Sequence, residues 1–390
     1  MDTDALFTIT RENLDTGLRG YPVGYCTTSA VDPNRGLFYI GRPIVDLAYK
    51  EPEEVIYLLY YGKEASSEEL KAFKKELHGR SHISQGLIKH IQALPRSGHP
   101  MKLFASALLL AGMLESKNDY REDCLNLIAR IPAIAAVVIN HHAGFKPEVE
   151  SKPELGYMEN FVQMLNIPKK NEKDLVPVMK LFNILHYDHG GGNLSTFVGK
   201  SVASGLEDMY GSMASAILAL SGPRHGRANQ DCLEFVEEIL QQVGENASIE
   251  QLEGLLRTKL AKNELVFGFG HAVLRVEDPR ASIFYDLANK RFSSHPLVKI
   301  ATLLRQAGPK VLGENPKISN PYPNVDAISG VVVHAAGFAF PEYIAVLFGM
   351  ARVVGIARQI VYERLEARSG KGTPIVRPKY FYALDESLSG

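Results

Sequence analysis

YIAVLFGMARVVGIA, residues Tyr343 to Ala357, is apolar around its whole circumference except for one arginine. A surface helix keeps a polar face, so a helix of this composition belongs inside a large protein or against another subunit. Burial on every side requires other helices or sheets around it, and the rest of the chain supplies mainly helices. From Asn229 to Val243 the apolar residues Leu233, Val236, Ile239, Leu240 and Val243 form one face of a 3.6-residue period, with Asn229 as the expected cap. Similar patterns cover 52–61, 66–78, 101–115, 123–142, 174–187, 194–220, 247–261 and 341–368. Strand-like alternation is confined to short pieces such as Leu37 to Ile40 and the tail Ile375 to Tyr382. The pattern predicts a mainly α protein.

The chain has 390 residues, 45% apolar and 22% charged, enough to bury a large core in more than one lobe. Its 43 Lys+Arg and 44 Asp+Glu nearly cancel, which argues against a nucleic-acid partner. The N-terminal stretch MDTDALFTITRENLD has no basic or apolar leader pattern, and no run of about 18 apolar residues occurs, so no membrane span is expected. The expected location is the cytoplasm of a bacterium, or a mitochondrial matrix if a targeting peptide was trimmed. Cys26, Cys124 and Cys232 show no metal spacing and are expected to be reduced core residues. Irregular Pro/Gly-rich stretches lie at 19–36, 143–157, 221–228, 266–280 and 308–325. The last three bracket about 100 residues that form a candidate smaller lobe beside a cleft.

Arg352 sits in the middle of the apolar stretch. A guanidinium keeps its proton, so burial demands an internal carboxylate or an anionic ligand beside it. Four further stretches hold groups with chemical uses. In ILHYDHGGGN (184–193) a helix ends in His186, Tyr187, Asp188 and His189 before three glycines. A helix C-terminus favours a protonated, anion-binding histidine, although a plain cap and a metal site on His186, Asp188 and His189 are also open. In SGPRHGRANQ (221–230) His225 precedes a helix start beside Arg224. Both features lower its pKa, and a neutral imidazole there suits donation to a developing enolate oxygen. In FGFGHAVLRVEDPR (267–280) the glycines let His271 and backbone N–H groups approach a ligand, and no third glycine completes a dinucleotide fingerprint. In NPYPNVDAISG (320–330) Asp326 reads as an N-cap or as a rigidly held general base.

GPRHG, GFGHAVLR-x-x-DPR and PNVD-x-x-SG, in this order and spacing, resemble the citrate synthase family closely over 175–380 and more loosely upstream through LRGYPVGYCTTSAVDPNRGLFYIGRPI. The GHAVLR wording is similar to the mitochondrial-type members. The resemblance implies a two-domain helical homodimer, with 1–224 and 338–390 as the large domain and 225–337 as a small domain closing over the cleft. It implies condensation of acetyl-CoA with oxaloacetate and hydrolysis of citryl-CoA, with acetyl-CoA as substrate and no resident cofactor or metal. Asp326 would take the methyl proton, His225 would stabilise the enolate, and His271 would polarise the oxaloacetate carbonyl. His189, Arg280, Arg352 and, across the interface, Arg377 would hold the substrate carboxylates, while Arg275, Lys317 and Asn324 would lie near CoA.

The wording departs from the family at Gly190, where the pattern has Glu, and at Arg224 and Arg227. Arg224 is expected to help keep His225 neutral. A 2-methylcitrate synthase, a non-catalytic CoA-binding helical protein and a metal hydrolase on His186, Asp188 and His189 are the rival readings.

Overall fold

The computed structural model describes residues 8–146 and 149–382. Among them are sixteen α-helices and one small antiparallel sheet of Ser29–Asp32, Gly36–Tyr39 and Arg42–Pro43, with Ser29 opposite Tyr39 and Asp32 opposite Gly36. The mainly α expectation holds, and the short alternating piece near Leu37 is the middle strand of that sheet. The tail does not behave as its alternation predicts. Through Tyr382 it joins no strand, and Ile375, Tyr380 and Phe381 are all exposed. Alternation makes a strand only where a neighbouring edge accepts its hydrogen bonds, and here Val376 N–H donates instead to Ser204 Oγ at 2.9 Å.

The apolar stretch forms the helix Ile344–Val361, buried at every position except Arg358. It packs against Tyr120–Ala143, Glu172–His186, Leu194–Ser204 and Met209–Leu220. A close approach is made at Gly355, where a Cβ would stand 2.4 Å from Asp188 Cγ. The missing side chain lets Gly355 N–H donate to Tyr187 O at 3.0 Å, which seats the turn after Glu172–His186 directly on the central helix. That contact brings the HYDHGGG turn to Arg352.

Two local expectations are corrected. The 194–220 pattern divides into Leu194–Ser204 and Met209–Leu220, because Leu206 adopts a left-handed φ of 68° and Asp208 caps a new helix by accepting from Gly211 N–H at 2.7 Å. Asn229 is not a cap: its helix is Ala228–Val243, and its side chain is fully buried, donating to Ser329 Oγ at 2.8 Å.

The helices Ala228–Val243, Ile249–Ala261, Pro279–Arg291, Pro296–Leu312 and Asp326–Ala335 pack chiefly on one another. Their edges carry the loops that hold His225, His271 and Asp326 opposite the turn at His189.

Candidate active site

The turn after Glu172–His186 is locked from behind. Asp188 is buried and accepts from Ser29 Oγ at 2.8 Å, Gln359 Nε2 at 2.9 Å, His189 N–H at 2.9 Å and Thr28 Oγ1. His186 is also buried, with Nδ1 2.7 Å from Phe182 O. Both side chains thus serve the core packing of the turn, while His189 faces the arginines. His189 Nε2 accepts from Arg280 Nη2 at 3.3 Å. Burial, then the positive charges of Arg280 and Arg352, hold its pKa well below the ordinary value. The expectation of a protonated histidine at a helix end is therefore corrected, since burial and two neighbouring cations outweigh one helix dipole.

His225 is set by the next helix start. Asn193 caps Leu194–Ser204, accepting from Thr196 N–H at 3.2 Å, and this exposes Ser195 N–H to His225 Nε2 at 3.2 Å. A ring nitrogen that accepts a backbone N–H carries no proton, so neutral His225 holds its hydrogen on Nδ1. Burial pushes its pKa down to about 4, helped by the charge of Arg352. Arg224 has no part in this, contrary to expectation. It is exposed, and the cation that acts on His225 lies 127 positions away in sequence, at Arg352.

His271 has the complementary tautomer. Its Nδ1 accepts from Val273 N–H at 3.0 Å and Leu274 N–H at 2.9 Å, leaving the proton on Nε2. Burial and then Arg280 lower its pKa to about 4. Its ring centre is 5.3 Å from that of His189. The two glycines before it take left-handed φ values of 82° and 80°, and a Cβ on Gly268 would come within 2.7 Å of Ala327 Cα. Glycine there lets the loop lie on the start of the Asp326–Ala335 helix.

Asp326 is held by the same contact. Asn324 Nδ2 donates to Gly270 O at 2.9 Å and Asn324 N–H to Gly268 O at 2.9 Å. Asn324 Oδ1 also accepts Asp326 N–H at 2.9 Å, so the asparagine does the capping work, and the aspartate carboxylate instead takes a hydrogen bond from the Asn229 side chain. The N-cap reading of Asp326 is thereby removed. Burial raises its pKa from 3.8 to about 6, against the lowering effect of Arg280.

Arg280 and Arg352 differ in their partners. Arg280 pairs with Asp278, Nη2 to Oδ2 at 2.7 Å and Nε to Oδ1 at 3.1 Å. Arg352 is 2% exposed, yet its polar contact is Nε to His186 O at 3.1 Å and its other neighbour is the Phe348 ring at 4.8 Å. No carboxylate among the described residues lies within ion-pair distance of it, and burial lowers its pKa to about 10. The cluster therefore holds one buried cation on which Asp188 and Asp326 act through space, without an ion pair among the described residues.

The remaining expected residues are Arg377, Lys317 and Arg275, and of these Arg275 lies beside His271, its Nη1 3.5 Å from His271 O. Arg377 and Lys317 are exposed. Arg275 turns back on its own loop, Nη1 to Leu274 O at 2.8 Å and Val273 O at 3.0 Å. Ser195, Asn193, Asp278 and Asn229 were missed from sequence. Only Asp278 had a visible signal, as the residue before a proline at a helix start.

The sequence pattern of the family described as "Citrate synthase, C-terminal domain" matches residues 17–379. The chain belongs to the citrate synthase family. It is 35% identical to "Citrate synthase 4, mitochondrial" of Arabidopsis thaliana, over 95% of this chain and 82% of that protein. It is 32% identical to "2-methylcitrate synthase, mitochondrial" of Aspergillus fumigatus, over 94% and 84% respectively. Among solved structures it is similar to the citrate synthase of Thermoplasma acidophilum, described as a ternary complex with carboxymethyl coenzyme A and oxaloacetate. There the TM-score is 0.81 and the identity 28%, over 94% of this chain and 95% of that one. The citrate synthase of Thermotoga maritima gives a TM-score of 0.79 at 28% identity, over 94% of both chains.

Proposed function

We propose that the protein condenses acetyl-CoA with oxaloacetate and hydrolyses the resulting citryl-CoA to citrate and CoA. The observation that carries this reading is Arg352, a buried cation beside neutral histidines and placed to hold an anion. A dianionic ketoacid supplies it, and forked guanidinium donors suit its carboxylates. Arg280 and His189 complete the pocket from one protomer, and entry of the dianion favours protonation of His189.

In the first step Asp326 removes a methyl proton of acetyl-CoA. The charge passes to the thioester oxygen, where His225 Nδ1–H, oriented by the Ser195 N–H bond to Nε2, donates a hydrogen bond. The nucleophilic methylene carbon then attacks the oxaloacetate ketone, and His271 Nε2–H passes its proton to the new alkoxide while the proton that Asp326 took is given back to the imidazole, so both groups return to their starting states. Water finally cleaves the thioester, and CoA leaves as the thiol.

The lobe 225–337 would close over 1–224 and 338–390, excluding water from the enolate. CoA would lie against the 266–271 loop, with Arg275 and Lys317 near its phosphates and Asn324 setting the loop. A homodimer is supported by an apolar surface of Leu109, Met113, Leu114, Leu206 and Leu218, all exposed in the single chain. The exposed tail would then bring Arg377 to the partner's site. The compartment we infer is a mitochondrial matrix or the bacterial cytoplasm.

Thiol release from acetyl-CoA and from propionyl-CoA, each with and without oxaloacetate, tests the assignment. Oxaloacetate-dependent release with acetyl-CoA that disappears in Asp326→Ala supports it. Preference for propionyl-CoA transfers the protein to the 2-methylcitrate reading, and release without oxaloacetate refutes both.

A further inference from the structure

Asn229 carries no charge, yet its wholly buried side chain meets the Asp326 carboxylate. It stands in the first turn of Ala228–Val243, one turn beyond His225. One N–H of its Nδ2 donates to Ser329 Oγ at 2.8 Å, and the side chain also hydrogen-bonds Asp326. An ionised carboxylate only accepts and an amide nitrogen has two N–H groups, so the second N–H serves Asp326. Asp326 and Ser329 lie one turn apart on the helix Asp326–Ala335, and the amide spans that turn.

Packing alone does not account for this side chain. The N–H groups at the start of Asp326–Ala335 are already taken: that of Asp326 by Asn324 Oδ1, that of Ala327 by Asn324 O, and those of Ile328 and Ser329 by Val325 O. The carboxylate therefore has no local donor to fix its rotamer, and the neighbouring helix supplies one. The other end of the amide is left unmatched. Asn229 Oδ1 is buried with no hydrogen-bond partner among the described residues, and it faces Gly330, where a Cβ would stand 3.0 Å from it. An unpaired buried acceptor is destabilising, and an apolar residue of similar size would avoid the loss, so the position keeps an asparagine for its N–H end. The charges acting on Asp326 are Arg280 and Asp278 from the start of Pro279–Arg291 and Arg352 from the central helix. Cys232, on the helix of Asn229, is held as the neutral thiol by burial and by Asp326. Distant charges set no direction, whereas a hydrogen bond does.

We propose that Asn229 is the positioning residue for the base: its amide holds the Asp326 carboxylate in one orientation and ties it to the helix start that carries His225. The proposal rests on Asp326 being the group that deprotonates acetyl-CoA. With one N–H on the carboxylate, the remaining lone pairs are directed at the substrate methyl, and base and enolate donor keep a fixed relation.

Asn229→Leu, which keeps the bulk and removes both N–H groups, tests it. Its kcat is expected to fall by about 10 to 10², with the KM for oxaloacetate changed by less than about twofold. Loss of a donor to the ionised form should move the acid midpoint of kcat/KM about one pH unit to the alkaline side. The isotope effect on kcat with trideuteroacetyl-CoA should rise, because orientation of the base acts on proton transfer. Ser329→Ala keeps the amide but removes its anchor, and decides the matter if Asn229→Leu fails to fold: kcat should fall by about threefold to tenfold with the same rise in isotope effect. An unmoved isotope effect in the folded variant, an unmoved acid midpoint in Asn229→Leu, or a loss confined to the KM for oxaloacetate would overturn the proposal. Asp326→Ala, assayed alongside, separates the two claims. Turnover that survives in it sinks the base assignment and the proposal with it, whereas an inactive Asp326→Ala beside a fully active Asn229→Leu sinks the positioning role alone.

Discussion

Asp326→Asn should inactivate the protein and stabilise it, with the stabilisation depending on pH in a direction fixed by the site. The carboxyl is raised from 3.8 to about 6, first by burial and in spite of Arg280. Between about pH 4 and pH 6 the folded protein therefore binds more protons than the unfolded chain. Folding stability contributed by this group is greatest below that window, falls as pH rises through it, and stays low above it. A shift of this size corresponds to about 3 kcal/mol. An uncharged isostere escapes the penalty, so Asp326→Asn should exceed the wild type by up to about 3 kcal/mol at about pH 8. The margin should shrink steadily toward about pH 4. Urea unfolding of both proteins at about pH 5 and about pH 8 measures the margin, and every other titrating group cancels in the difference. Turnover of the variant should fall by about 10² to 10⁴, and wild-type kcat/KM should lose activity on the acid side with a midpoint near pH 6. A margin that is the same at both pH values, or a wild type active well below that midpoint, would refute the raised carboxyl and its role as base.

Arg352→Met should raise the oxaloacetate Kd by about 10² to 10³. Its thermal stability should hold or rise, because no carboxylate among the described residues forms an ion pair with the guanidinium; titration calorimetry and a melting curve separate this from a structural ion pair, which would show the reverse. His271→Ala should lower kcat by about 10² to 10³ through loss of the Nε2–H donor, and single-turnover kinetics should place the loss in carbon–carbon bond formation. Arg224→Leu should leave the His225 titration unmoved in an NMR experiment, since Arg352 and burial hold that imidazole neutral; a clear rise would restore the sequence expectation.

Where local chemistry and tertiary placement agreed, the sequence was a sound guide. An all-apolar helix demands burial anywhere in a soluble fold, so Ile344–Val361 was legible without coordinates. The glycines of the 266–271 loop were legible for a similar reason, since positive φ angles suit a residue without Cβ. Expectations failed where a neighbour in sequence was taken for a neighbour in space. Arg224 adjoins His225 along the chain but turns to solvent, while Arg352 arrives from another helix. Asn229 and Asp326 both looked like caps, yet Asn229 points into the core and Asn324 takes over the duty expected of Asp326. The strand-like tail lacked what no local pattern records, an open edge to pair with.

Residue order and periodicity by themselves determined a helical protein, the burial of Arg352, and which imidazoles and carboxylate were candidates. Protonation states and tautomers were decided only by tertiary structure. The hydrogen of His225 is placed by Ser195 N–H and that of His271 by Val273 and Leu274 N–H. Whether Arg352 had an internal counter-ion was settled the same way. A side chain's identity is local, but the energy of its charge depends on every dipole and ion brought within a few ångströms, and only the folded chain sets those distances.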